Sequence, residues 1–125
     1  MRLAQISGAV LESPSRLTAA VLQAADMLGL YQAELARILH LQCADIGRMG
    51  AVRGQLVPGT QGWRQALAFV RLYRALHELM QGDGAAMCHW LRVDNRALGG
   101  TPLLLMVDED RIGEVLRHLQ THPRT

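Results

Sequence analysis

Apolar residues recur along most of this chain at three- and four-residue spacing, the pattern of helices with one buried face. Leu17, Ala20, Val21, Ala24 and Leu28 form the first such stripe. Ser13 and Pro14 precede it as N-cap and first helical residue, and Gly29 follows it as a stop. Leu35, Ile38 and Leu39 predict a second helix over 32–39, and after a break at His40-Leu41 a third is expected over 42–49. Gly50, Gly54, Pro58 and Gly59 then mark a loop or linker. The longest pattern starts at Gln61 or Gly62 and ends at Gln81, with Trp63, Ala66, Leu67, Phe69, Val70, Leu72, Tyr73, Leu76, Leu79 and Met80 as its apolar positions. That face is wider than one stripe. It predicts burial on two sides, either between two subdomains or in a homodimer or higher oligomer.

Punctuation residues divide the C-terminal third. Gly82-Asp83-Gly84 reads as a turn, and a short helix is expected over 85–91, ending with Trp90 and Leu91. Asp94 and Asn95 favour a turn, because their side chains hydrogen-bond to nearby backbone. Gly99 and Gly100 permit positive φ and close approach. Thr101 and Pro102 restart a helix that runs to Met106. Asp108 is expected to cap a last helix over 109–120, with Glu109 and Asp110 in its first turn and Arg117 and His118 near its end, both complementary to the helix dipole. Residues 1–13 read as a weakly structured arm, and 122–125 as a frayed tail.

Composition narrows the class. Half of the 125 residues are hydrophobic but only 4% are aromatic, so the core is built from Leu, Ala, Val, Ile and Met. Most of these are good helix formers, which predicts an all-α protein. The expected organisation is a helical bundle over 13–59 and a small helical domain over 60–122. All 13 cations are arginine, yet the net charge is only +2. So small an excess argues against a protein that coats nucleic acid non-specifically. Cys43 and Cys88 share no spacing motif, no signal peptide is evident, and no run of about 18 apolar residues exists. The chain therefore reads as cytoplasmic, with no membrane partner and reduced thiols.

Two stretches carry a resemblance. Residues 31–49, Tyr-Gln-Ala-Glu-Leu-Ala-Arg-Ile-Leu-His-Leu-Gln-Cys-Ala-Asp-Ile-Gly-Arg-Met, look like an Xre/Cro-type helix-turn-helix. Gln32 matches the glutamine that opens the first motif helix. Leu35-Ala36 match the inward pair at which the helices cross, Leu41 the buried residue of the turn, and Ile46 the anchor of the second helix. That leaves Gln42, Ala44, Asp45 and Arg48 on the outer side, the side that enters the major groove in such motifs. Arg37 and Arg53 are candidate phosphate contacts. His40 stands where the family has Gly, which asks a left-handed conformation of a histidine. With one cation and one acid on its outer face, the second helix is open to two readings: a DNA reader, or a scaffold that has lost operator recognition.

The second stretch is Trp90-Leu91, Asn95, Leu98-Gly99-Gly100 and Pro102. It resembles the toxin-binding domain of Xre/MbcA/ParS-type antitoxins, with the proline one residue closer to the glycines. The resemblance as a whole runs from about Ser13 to Gln120. The resemblance implies an antitoxin of a type II toxin–antitoxin pair, with a RES-domain, NAD-consuming toxin as partner and autorepression through operator DNA. It places the toxin contact at the C-terminal end. There Arg111 and Arg117, with Arg124, are candidate polar contacts, because a nucleotide-handling pocket engages arginine well. No cofactor is implied. A stand-alone transcriptional regulator and an oligomeric adaptor without DNA binding are the alternatives.

Other chemistry is weaker. Cys88 and His89 are adjacent on a helix and point about 100° apart, a poor start for a metal site with His77. Cys43 has no base placed near it by any motif. An enzyme is the reading least supported by these residues.

Overall fold

The computed structural model describes residues 13–49 and 56–121. The expected N-terminal arm up to residue 12, Arg53 with most of its loop, and the tail from 122 lie outside the described residues. Those described form an all-α fold of seven helices: α1 (Pro14–Met27), α2 (Gln32–Leu39), α3 (Cys43–Met49), α4 (Gln61–Leu79), α5 (Gly84–Arg92), α6 (Pro102–Val107) and α7 (Ile112–Thr121). Among them no helix is long and apolar enough to cross a membrane.

Local chemistry sets most of the starts. The Ser13 hydroxyl accepts from Arg16 N and Pro14 takes the first turn of α1. Thr60 accepts from Trp63 N to open α4, and Asp83 accepts from Ala86 N to open α5. Each satisfies one of the N–H groups that a helix N-terminus leaves unpaired. Pro102 occupies the start of α6, while Thr101 takes the cap position without a side-chain hydrogen bond.

The helix α4 is the axle of the structure. It packs against α1, α2, α5 and α7. Ala66, Phe69, Val70, Leu72 and Leu76 are buried on it, and Trp63, Leu67, Tyr73 and Leu79 are half-buried. The unusual width of its apolar face is thus met within one chain and does not require a second copy. Buried residues of α1, α2 and α3 lie in the same hydrophobic cluster as Leu103, Leu105 and Met106 of α6 and Ile112, Val115 and Leu119 of α7.

The acidic run departs from its expected place. Asp108 caps the C-terminus of α6, Asp110 adopts φ +55°, and α7 begins only at Ile112. These acids serve partners far away in sequence rather than the α7 dipole. Asp108 pairs with Arg37 of α2 at 3.2 Å, and Asp110 Oδ1 lies 2.7 Å from His40 Nε2. Gln65 of α4 donates from Nε2 both to Asp110 Oδ1 and to the Ile38 carbonyl. The α6–α7 loop is therefore fastened onto the turn between α2 and α3.

Candidate functional site

The residues that suggest nucleic-acid contact surround α3. His40 closes α2 in the left-handed region at φ 60°, so this turn is made without glycine, and Leu41 N donates back to Ala36 O. Ile46 and Met49 are the buried residues of α3, leaving Cys43, Ala44, Gly47 and Arg48 exposed, with Gln42 exposed just before the helix. Asp45 is half-buried and carries two tasks: its carboxylate accepts from Gln42 N at the start of α3 and pairs with the Arg48 guanidinium one turn on. The only described cation on α3 is thus held by an acid of the same helix, and Arg48 remains two-thirds exposed (67%). Gln32 is also occupied, since its Nε2 donates to the Cys43 carbonyl at 2.9 Å. It ties α2 to the first turn of α3 rather than standing free on the surface. A groove of about 480 Å³ runs beside this face, lined by His40, Asp45, Arg48, Met49, Thr60 and Gly62, among others.

The residues that suggest a protein partner lie around Asn95. Asn95 and Gly100 form an isolated antiparallel bridge, with Asn95 N donating to Gly100 O at 2.9 Å. The Asn95 carbonyl in turn accepts from Gly99 N, and its side-chain oxygen accepts from Leu98 N at 3.3 Å. Leu98 points into the core while Gly99 sits at φ +78°. A Cβ on Gly100 would lie 3.2 Å from Leu105 Cδ2, so the turn rests directly on α6. Pro102 and Leu103 are buried behind it.

Nothing but open space surrounds the Cβ position of Gly99. Gly99→Ala is therefore expected to report backbone strain alone, about 1–2 kcal/mol for a left-handed alanine. Urea denaturation followed by circular dichroism measures it.

Further along, the structure separates the two candidate arginines at the C-terminal end, Arg111 just before α7 and Arg117 on it. Arg111 is engaged twice, with Glu114 at 2.6 Å and Glu109 at 3.3 Å. Hydrogen bonding to Arg111 holds the Glu114 carboxyl below the ordinary glutamate range, and the Glu114 and Glu109 bonds raise the Arg111 guanidinium. Arg117 is exposed and makes no ion pair among the described residues. Trp90 is half-buried, its ring stacked on His118 with centroids 6.4 Å apart, which links α5 to α7.

Three positions that organise these faces carry no local signal in the sequence. Arg92 reaches from α5 to the Gly29 carbonyl at 2.9 Å, covering the C-terminal end of α1. Buried Thr18 accepts from Leu56 N and donates to Pro14 O, which anchors the chain as it enters α4. Gln65 of α4, through its bonds to the Ile38 carbonyl and to Asp110, is the third. A comparison of the chain with family models returns no match, and neither does a comparison with curated proteins.

Proposed function

We propose that this chain is an antitoxin of the Xre/MbcA/ParS type, which neutralises a RES-domain toxin by direct contact and represses its own operon. The observation that carries the reading is the joint presence of two sequence patterns in one all-α chain. One is the Gln32 to Met49 helix pair with its tight turn at His40. The other is the Asn95–Gly100 turn leading into Pro102. The short α3 with Gln42, Ala44 and Arg48 exposed supports assigning it to the major groove. Arg117 is the first choice for toxin contact on α7, because Arg111 is already held by two carboxylates.

One observation favours the alternative of an adaptor without DNA binding. The Asp45–Arg48 pair neutralises the outer face of α3 internally, and an acid on that face repels phosphate.

Co-expression with the product of the neighbouring gene, followed by affinity co-purification, tests the main reading. The expected result is a stable complex and restored growth of cells that make the toxin. Arg117→Glu should weaken rescue about tenfold or more, the worth of one charge-assisted contact, with an unchanged helical spectrum. Co-purification failing in both tagging orientations would remove the toxin from the proposal.

A further inference from the structure

Residues 31–49 carry three basic side chains, Arg37, His40 and Arg48. Each is matched with a carboxylate. Asp45 holds Arg48 from within α3. The other two partners come from far along the chain, in the loop between α6 and α7. Asp108 lies 3.2 Å from Arg37, and Asp110 Oδ1 lies 2.7 Å from His40 Nε2. Arg37, His40, Asp108 and Asp110 are all exposed.

The loop is fixed at both of its ends. Gln65 Nε2 donates to Asp110 Oδ1 and to the Ile38 carbonyl, and Arg111 N donates to Leu105 O, which closes the loop on α6. Asp110 and His40 meet with both backbones left-handed, at φ 55° and 60°, a region that residues other than glycine seldom occupy. His40 also lines the groove that Asp45 and Arg48 share, and Arg37 stands about one turn before it on α2. Asp110 thus reaches the edge of the outer face of α3.

We propose that the α6–α7 loop is an autoinhibitory strap, in which Asp108 and Asp110 occupy Arg37 and His40 and so mask them from a DNA phosphate backbone laid across α2 and α3. The inference rests on the reading of α3 as a DNA-contacting helix. Arg37 is the larger loss, because the arginine fork engages phosphate as it engages carboxylate. With His40 neutral, residues 31–49 carry no net charge, Arg37 and Arg48 standing against Glu34 and Asp45. The loop adds Asp108, Glu109 and Asp110 against the single Arg111, which turns this surface acidic. Exposed ion pairs are weakly held and screened by salt, so the strap lowers affinity without abolishing it.

The test is fluorescence anisotropy of the full chain with a labelled duplex of its own upstream DNA at several salt concentrations. Asp108→Asn and Asp110→Asn keep the shape of each side chain, and asparagine accepts the left-handed conformation at 110. The wild type is expected to bind at low salt. Asp108→Asn should tighten binding several-fold and steepen the salt slope by about 1, as Arg37 gains a phosphate. The double variant should tighten it about tenfold. Glu109→Gln removes the same charge from the same loop, but its carboxylate faces Arg111, so the slope should stay as it is. In an Arg37→Gln background, Asp108→Asn should gain nothing. An equal gain from Glu109→Gln, or a gain from Asp108→Asn that survives Arg37→Gln, overturns the proposal. Wild-type affinity in both aspartate variants overturns the strap and leaves α3 as a DNA reader, whereas no binding by wild type or variants at low salt overturns both. Asp108→Asn breaks one exposed pair and should leave circular dichroism unchanged, so its arm decides even where the double variant loosens the loop.

Discussion

Deletion of residues 108–125 is expected to abolish the cooperative unfolding transition of the whole chain, not merely to remove a partner-binding end. The reason lies in α4. Ile112, Val115 and Leu119 of α7 are buried, at 4%, 0% and 3% exposure, in the cluster that holds Phe69 and Leu76. Removing three such side chains forfeits a burial contribution of roughly 5–9 kcal/mol, at about 1.5–3 kcal/mol each, and uncovers the α4 side chains they pack on. That is comparable to the entire stability of an ordinary domain, about 5–15 kcal/mol. The deletion also strips Arg37 and His40 of Asp108 and Asp110, which fasten the loop to α2. Leu17, Leu35, Ile38 and Ile46 are themselves buried, but in the same cluster as the residues α7 covers. Urea denaturation by circular dichroism gives the answer. A sharp transition within about 1 kcal/mol of the full chain would show an N-terminal unit able to fold alone. Loss of toxin rescue by this deletion therefore says nothing of a contact surface, and the exposed Arg117 is the better probe.

The helices were legible because their signals are local. The apolar spacing of α1 and α4, and the cap at Ser13, each act within a few residues. The left-handed His40 was expected only through the resemblance, because His40 stands where that family has Gly. What the sequence hides is every interaction closed across a long stretch of chain. Asp108, Glu109 and Asp110 look like a helix start, since acids favour helix N-termini. Asp108 and Asp110 instead bind Arg37 and His40, and α7 opens after them. Arg92 and Thr18 are equally opaque, because neither Gly29 nor Leu56 lies near them in sequence. The width of the α4 face was visible, but periodicity cannot say whether another helix of the same chain or a second copy covers it. Of the candidate sites, the exposure of Gln42, Ala44 and Arg48 follows from helical geometry. The engagement of Arg48 by Asp45 and of Arg111 by Glu109 and Glu114 does not, since spacing allows such pairs without requiring them.

On the proposed function, Asp45→Asn and Arg48→Ala are expected to move DNA affinity in opposite directions. Asp45 now caps the first turn of α3 through Gln42 N and binds Arg48 at the same time. Asparagine keeps an amide oxygen that can accept from Gln42 N, so the contact at the helix start survives. It cannot hold Arg48 by charge, and it no longer repels phosphate. The exposed pair that Asp45→Asn dissolves is itself worth only about 0.2–1 kcal/mol. The gain in affinity should accordingly be a few-fold, larger at low salt, where phosphate attraction dominates. Arg48→Ala removes the only described cation of α3. If Arg48 reads a base edge, its loss costs about 1–3 kcal/mol and relaxes sequence preference. If it contacts phosphate, binding weakens evenly across sequences and the salt slope falls by about 1. Fluorescence anisotropy with the chain's own upstream DNA, at several salt concentrations and with a scrambled duplex beside it, separates these cases. Should both variants bind as the wild type does, or should the wild type not bind at low salt, the outer face of α3 reads no DNA. The α2–α3 pair would then be a scaffold, and the adaptor reading favoured by the Asp45–Arg48 pair would take its place.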